Sequence, residues 1–247
     1  MKMNGMKIKI SLLTAILLFV ACAAFASIKN TKHDLSFFTT AWPGSPSYQT
    51  DEAQLCIFCH TPHGGSLVAP LWNRNNPDGG AFTMYNSTHA WKTELNSVTT
   101  VNDESLLCLS CHDGSIAVNS LLNVGLSGNQ PNVLENFGSP TYIAGTTGGS
   151  KRIGGAPGAE NDTGHLEDDH PISLNYANAV SDQTAHGTNE LQTLAYAESQ
   201  GIAFFPTGGS ETNLECSSCH DVHDNSYPPF LIKSNSGSAL CFSCHIK

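Results

Sequence analysis

The pattern of apolar residues divides this chain into one long run near the start and short groups afterwards. The run covers residues 10–20, follows three lysines and precedes a small-residue segment at residues 24–26. This order predicts a secretory signal peptide over residues 1–26 and a single domain over residues 27–247. A bilayer span needs about 20 apolar residues, so no integral membrane segment is expected after cleavage. Acylation of Cys22 is the alternative processing route.

After the predicted signal peptide, little regular structure is expected. A D-x-x-Q sequence at residues 51–54 predicts a helix start, in which Asp51 caps the helix and Gln54 reaches back. Residues 113–215 are rich in Gly, Ser, Asn and Thr, so residues 145–158 are expected to form an irregular surface loop. Residues 201–205 are expected to form a short strand.

The short apolar groups carry one motif four times. Each copy has two cysteines three positions apart followed directly by a histidine, and together the copies use every cysteine after Cys22. The two cysteines lie one helical turn apart, so their thiols can form thioether bonds to the two vinyl groups along one porphyrin edge. The histidine then lies under the porphyrin ring and binds the iron. C-x-x-C-H is typical of covalent c-type haem attachment. The four sites are site 1 (Cys56, Cys59 and His60), site 2 (Cys108, Cys111 and His112), site 3 (Cys216, Cys219 and His220) and site 4 (Cys241, Cys244 and His245).

Paired cysteines also occur in zinc sites, disulfide frameworks and redox dithiols. Zinc sites built from two C-x-x-C units need no histidine directly after each second cysteine, and all four copies have one. A thioredoxin-like dithiol is a single copy in a βαβ context, which this sequence lacks. Export also agrees with haem attachment at the cysteines. Haem c is attached outside the inner membrane, where free thiols would otherwise oxidise. Four haem c groups are therefore the predicted cofactors.

Charge and size limit what the chain can bind and how it can fold. The formal net charge is −10, and signal cleavage removes three lysines and no acidic residue. Nucleic acid is therefore not an expected partner. Four haems leave about 55 residues per haem, which is little for a protein that must also build an apolar core. The predicted fold is mostly irregular, with short α-helices mainly at the haem attachment sites and the haems forming much of the core.

The second axial position of each iron decides between electron transfer and chemistry on a substrate. Met84 is the one methionine after the signal peptide, so histidine is the general candidate. His63 and His223 each follow an attachment histidine by three positions. Both rings of such a pair lie on nearly the same face, so His63 cannot bind the iron of His60 and must bind another haem or none. His223 would most simply serve site 4, its neighbour in sequence.

His170 is a further candidate axial ligand, between two aspartates and Pro171. The proline fixes the chain directly after the imidazole, and a carboxylate can orient the second ring nitrogen. His89, His165 and His186 lie in polar, turn-like surroundings and are the reserve candidates.

Five segments carry a family resemblance: residues 31–36, residues 56–63 with 69–74 after them, residues 108–115, residues 169–173, and the closing pair of motifs. In these segments the chain resembles the extracellular tetrahaem cytochromes of metal-reducing bacteria that polymerise into conductive filaments, the outer-membrane cytochrome E type. Many multihaem cytochromes share the paired motifs, and residues 56–74 are the more specific stretch.

This resemblance implies four bis-histidine haems in a continuous chain and one axial histidine donated across a subunit boundary. Carried over by position, the distal ligands are His33, His63, His170 and His223, and His63 is the one expected to bind a haem of a neighbouring subunit. The expected partners are further copies in a head-to-tail homopolymer and other redox cytochromes. The first site would then face the tail of the next subunit, at residues 241–245.

Three functions compete for this sequence. The leading one is electron transfer as a subunit of an extracellular conductive filament, secreted or at the cell surface after passing through the periplasm. A soluble periplasmic tetrahaem electron carrier is the alternative. A multihaem reductase needs an iron with an open site for substrate, and no lysine replaces an attachment histidine here, so no enzymatic activity is expected.

Overall fold

A computed structural model describes residues 28–36, 50–66, 71–126, 128–132, 153, 164–207 and 210–246. The predicted signal peptide lies outside the described residues, and so does the expected loop at 145–158 apart from Ile153. The described α-helices are α1 (Thr93–Ser97), α2 (Asp103–His112), α3 (Tyr176–Ala185) and α4 (Leu194–Ser199). Short 3₁₀ turns occur at Leu55–Phe58, Gly79–Ala81, Cys216–Ser218, Ser236–Ser238 and Cys241–Ser243.

The strands form one small antiparallel sheet, which leads directly into site 3. Its members are β1 (Leu174–Asn175), β2 (Phe205–Thr207) and β3 (Ser210–Leu214), and β3 lies in the middle. Leu174 pairs with Leu214, and Phe205 pairs with Asn213. The strand expected at residues 201–205 therefore overlaps β2 at one residue. Gly201, at a φ of 90°, donates its N–H to the carbonyl of Glu198 and ends the turn after α4, which delays the strand.

The expected fold class, mostly irregular with short helices, is confirmed for the described residues. The expected placement of the helices is only partly right. Site 2 lies on α2, whereas sites 1, 3 and 4 lie on 3₁₀ turns, and α3 and α4 carry no attachment site. Side-chain caps begin these two helices: Asn175 accepts from the N–H of Asn178, and Thr193 accepts from the N–H of Tyr196.

The helix start predicted at residues 51–54 is wrong. The 3₁₀ turn of site 1 begins at Leu55, and Gln54 stands before it without a side-chain cap. The Asp51 carboxylate instead accepts the backbone N–H and the side-chain N–H of Asn132, each at 2.7 Å. The aspartate that was predicted to cap a helix therefore forms a contact between two distant segments.

Two clusters of buried apolar side chains hold the described parts together. The larger one joins α1, the sheet, α3 and α4, and the cysteines Cys219 and Cys244 pack against it. The smaller one includes Leu106 and Leu109 of α2. Sites 2, 3 and 4 thus border apolar packing. That the haems supply much of the core stays a prediction.

Within the described residues, no helix combines the length and the apolar character that a bilayer span requires.

Candidate haem sites

The same backbone turn recurs at three of the attachment sites. The N–H of the histidine donates to the carbonyl of the first cysteine at 2.8 Å in site 1, 3.0 Å in site 3 and 2.9 Å in site 4. The N–H of the second cysteine donates to the same carbonyl at 3.1 to 3.2 Å. At site 2 the three residues are the end of α2. The motif thus forms a compact turn that brings both thiols and the imidazole together.

The four sites lie next to one another in their sequence order. Burial and the neighbouring Cys111 of site 2 raise the pKa of the Cys59 thiol to about 12. A hydrogen bond with Cys216 of site 3, together with burial, raises the pKa of Cys108. Burial and the nearby Cys244 of site 4 raise the pKa of Cys219 to about 11. At Cys59, Cys108 and Cys219 these surroundings favour neutral sulfur, which suits an uncharged thioether. The pKa of Cys216 shifts the other way, because its hydrogen bond with Cys108 lowers it.

Three attachment histidines each face a second histidine. Two imidazoles that bind one iron from opposite sides have ring centres about 6 Å apart, because each metal–nitrogen bond is about 2 Å long and each ring nitrogen lies about 1 Å from its ring centre. The ring-centre separations are 6.0 Å for His112 with His33, 6.0 Å for His60 with His223, and 6.2 Å for His245 with His170. The chain's own side chains therefore fit three six-coordinate haem irons.

His33, expected as a ligand chiefly from the resemblance, lies in the turn of residues 31–36. The buried Asp34 carboxylate holds this turn by accepting from the N–H of Asn30 at 2.9 Å and from the Ser36 hydroxyl. The Phe230 ring stacks on His33 at 4.4 Å. Burial, with His112 and His220 nearby, lowers the pKa of His33 to about 4. The imidazole is therefore neutral, as an iron ligand must be.

His170 and His220 each have one ring nitrogen fixed by a backbone carbonyl. Nδ1 of His170 donates to the Pro171 carbonyl at 3.0 Å, and Nδ1 of His220 donates to the Pro229 carbonyl at 3.0 Å. A carbonyl only accepts, so the proton is on Nδ1 and Nε2 is left for a metal. The expectation that a carboxylate orients His170 is thus wrong, because a proline carbonyl does so.

His223 does not serve site 4 in this structure. Its ring faces His60 of site 1, and site 4 has His170. The prediction that His223 pairs with site 4 rested on proximity in the sequence. In the short turn after His220, the His223 N–H donates to the Asp221 carboxylate at 2.9 Å, and this turn directs the ring towards His60.

His63 and His220 form no such pair within the described chain. Neither ring faces another histidine at the distance seen in the three pairs. His63 is exposed, and its carbonyl accepts from the Thr61 hydroxyl at 2.9 Å and from Nδ2 of Asn123 at 3.1 Å. His60 already faces His223, which agrees with the expectation that His63 does not bind its own site's iron.

In the described part of the chain, the contacts of the reserve histidines are with residues other than the attachment histidines. His89 lies against Trp91, with a ring-centre separation of 5.3 Å. Nδ1 of His165 is 2.8 Å from the Glu167 carboxylate, and Nδ1 of His186 contacts the carbonyl of Asp182 at the end of α3.

A buried carboxylate fixes site 3 against site 2. Glu215 accepts from Nδ2 of Asn102 at 2.7 Å, from the Ser173 hydroxyl at 3.1 Å and from the Ser105 hydroxyl. Its own N–H donates to the Ser218 hydroxyl at 3.0 Å. Burial raises the pKa of Glu215, although these hydrogen bonds oppose the increase. Sequence reasoning missed this residue, since a single glutamate before a cysteine indicates no partner.

Backbone pairing and one tyrosine anchor site 4. The Gln192 N–H donates to the Cys244 carbonyl at 2.8 Å, and the Ile246 N–H donates to the Glu190 carbonyl at 2.7 Å. The buried Tyr176 hydroxyl lies 2.9 Å from the same Cys244 carbonyl. The segment after α3 therefore positions the last site.

Asn73 joins site 1 to the segment around Asn123, a role that sequence reasoning missed. Its N–H donates to the Cys59 carbonyl at 2.9 Å, and its Nδ2 donates to the carbonyls of Ile57 at 2.7 Å and Asn123 at 2.8 Å. Oδ1 accepts the Asn123 N–H at 2.8 Å. Asn123 in turn donates to the carbonyl of His63. The Asn73 side chain therefore supports the His63 loop as well as site 1.

One family description matches the end of the chain. The doubled CXXCH motif matches residues 210–247, which contain sites 3 and 4. The chain is similar to multihaem c-type cytochromes. The match indicates covalently bound haem c, and such cytochromes are typically extracellular or periplasmic. No curated protein matches the chain.

Proposed function

We propose that this protein transfers electrons through four covalently attached bis-histidine haems, as a subunit of an extracellular filament. The observation that carries the proposal is the set of histidine separations. At three sites the attachment histidine has a second histidine at the spacing expected for two axial ligands, and His220 and His63 have no such partner among the described residues. Haem bound at these sites supplies a one-electron couple between Fe(III) and Fe(II).

The ligand pairs favour electron transfer over chemistry on a substrate. An iron with two imidazole ligands has no open position for a substrate, and this arrangement is expected at sites 1, 2 and 4. The hydrogen bond between Cys108 and Cys216, and the electrostatic interactions of Cys59 with Cys111 and of Cys219 with Cys244, support a continuous series of haems. The protein is therefore proposed to be an electron carrier and not a reductase.

The two histidines left over support a contact between subunits. We propose that His63 of one subunit binds the site 3 iron of the next, opposite His220. This replaces the expected contact with site 4, because His245 already faces His170. A head-to-tail contact of this kind does not close on itself and builds an open filament.

Exposed apolar side chains lie beside both histidines. Leu71 is 51% exposed, and its carbonyl accepts the Thr61 N–H next to the His63 turn. Leu122 is 40% exposed and precedes Asn123, which holds the His63 carbonyl. Leu231 pairs with both His220 and Tyr227, and Tyr227 is 46% exposed. Burial of these side chains in a subunit contact would remove apolar surface from water and exclude water from the shared iron.

The test is His63→Ala, with the exposed His89→Ala as the matched control. The His63 variant is expected to stay monomeric, with three low-spin haems and one high-spin haem by electron paramagnetic resonance. Added imidazole should restore the fourth low-spin signal without restoring filaments seen by negative-stain microscopy. His89→Ala should form filaments as the wild type does.

Two results would contradict the filament proposal. Normal filaments from His63→Ala, with every haem low-spin, would show that another residue is the donor. A wild-type monomer whose four haems are all low-spin would instead favour the soluble periplasmic carrier. A purified protein without covalent haem would contradict the electron-transfer proposal itself.

A further inference from the structure

Arg74 is a fully buried cation with no ion-pair partner among the described residues. Its Nη1 donates to the Val118 carbonyl at 2.8 Å, and its Nη2 donates to the carbonyls of Ala117 at 2.8 Å and Ser110 at 3.2 Å. Nε is buried and has no hydrogen-bond partner in the described part of the chain. An isolated charge is costly to bury, so a cation that is bonded only to neutral carbonyls is unusual.

The guanidinium lies between sites 1 and 2. Arg74 directly follows Asn73, whose N–H donates to the Cys59 carbonyl, and Ser110 lies between the two cysteines of site 2. One fixed cation therefore lies beside the attachment segment of each site.

We propose that Arg74 raises the reduction potentials of the haems at sites 1 and 2. The proposal rests on the proposed haem binding but not on the filament. On reduction each iron takes up one electron and changes from Fe(III) to Fe(II), which lowers its charge by one. A nearby positive charge favours the less positive iron, so it makes reduction more favourable at both sites.

Burial makes this charge effective. Salt screens exposed charges over about 8 Å at physiological ionic strength and screens buried charges much less. For charges roughly 10 Å apart at an effective dielectric constant of about 20, Coulomb's law gives roughly a tenfold change in an equilibrium constant. Arginine also keeps its charge throughout the working pH range. Lys233 lies near Cys244 of site 4 but is only partly buried, so solvent weakens its effect.

The experiment is a potentiometric titration of haem absorbance in the haem-loaded monomer. Arg74→Gln is expected to lower the equilibrium constant for reduction about tenfold at two of the four haems, which is about 59 mV for a one-electron couple. Arg74→Lys keeps the charge and should stay close to the wild type. Lys92→Gln removes one positive charge at an exposed position, where solvent screens it. This variant should leave all four potentials unchanged.

Haem content and the low-spin signal must be shown to be intact in each variant. Unchanged potentials in Arg74→Gln would overturn the proposal. An equal decrease in Arg74→Lys and Arg74→Gln would also overturn it, because geometry and not charge would then be the cause. A wild-type protein without haem would contradict the proposed function instead, and loss of filaments alone would not affect this inference.

A second variant keeps the proposal testable if Arg74→Gln fails to load haem. Ala117 is partly buried, and its carbonyl accepts a hydrogen bond from the guanidinium. Ala117→Glu places a carboxylate beside Arg74 and offsets its charge while the arginine stays in place. The same two haems should lose about the same potential, and unchanged potentials in this variant would overturn the proposal.

Discussion

Replacing Asn73 with alanine is expected to destabilise the protein and loosen the loop that carries His63. The Asn73 side chain is fully buried and forms three hydrogen bonds, of 2.7, 2.8 and 2.8 Å, to the backbone of Ile57 and Asn123. Alanine removes all three and leaves two carbonyls and one N–H without their partner. These groups are only partly buried, so water can replace some of the lost bonds.

The expected loss follows from the value of each hydrogen bond. A typical intramolecular hydrogen bond stabilises a protein by about 1 kcal/mol, so the free energy of unfolding should fall by about 3 kcal/mol. For a protein of this size, each kcal/mol lowers the melting temperature by about 2 to 4 °C, which gives a decrease of about 6 to 12 °C. Asn123 also holds the His63 carbonyl, so filament formation should slow.

The assay is denaturant unfolding of the haem-loaded monomer, followed by circular dichroism in the haem region. The midpoint should fall while the slope with denaturant stays the same, which indicates a change in stability alone. Asn75→Ala, at an exposed position two residues away, is the matched control and should change stability by less than about 0.5 kcal/mol. Equal stabilities of the two variants would refute the role given to Asn73.

Two further predictions concern a ligand and a buried acid. His170→Ala should convert one haem to high spin, as measured by electron paramagnetic resonance, whereas the control His186→Ala should not change the spin state of any haem. An unchanged signal in His170→Ala would show that another residue binds that iron. Burial keeps the pKa of Glu215 above its ordinary value, so the folded state holds this proton more tightly than the unfolded state. The free energy of unfolding should therefore fall as pH rises from the ordinary carboxyl pKa to the raised one. Glu215→Gln should remove this part of the pH dependence in denaturant titrations, and an unchanged dependence would contradict the assignment.

The local features of the sites could be predicted from the sequence because their parts lie within one turn. Two cysteines and a histidine in five positions form the same backbone turn at sites 1, 3 and 4, and only site 2 differs, because it continues a longer helix. The argument that His63 cannot bind its own site's iron also used only local geometry. Such statements need no knowledge of the remaining chain.

The axial pairs could not be predicted in the same way, because they join distant segments. His223 was expected at its sequence neighbour, site 4, but tertiary structure brings it to His60. Arg74 also gave no signal, since a lone arginine is usually exposed and only its three carbonyl partners show its burial. Asp51 had the form of a helix cap and serves a long-range contact instead.

Under the proposed export, the order in which the chain emerges has a consequence for the pair of His60 and His223. His33 precedes His112 and His170 precedes His245, so each of these pairs can close as soon as its attachment histidine arrives. His60 arrives early, whereas its partner arrives only after roughly 160 further residues, which makes this the longest loop to close. Among the three sites whose two ligands come from one chain, the first haem to be attached therefore waits longest for its second ligand under the proposed ligation. During that interval its iron is open to any other histidine that has already emerged, so site 1 is where incorrect ligation during maturation is expected.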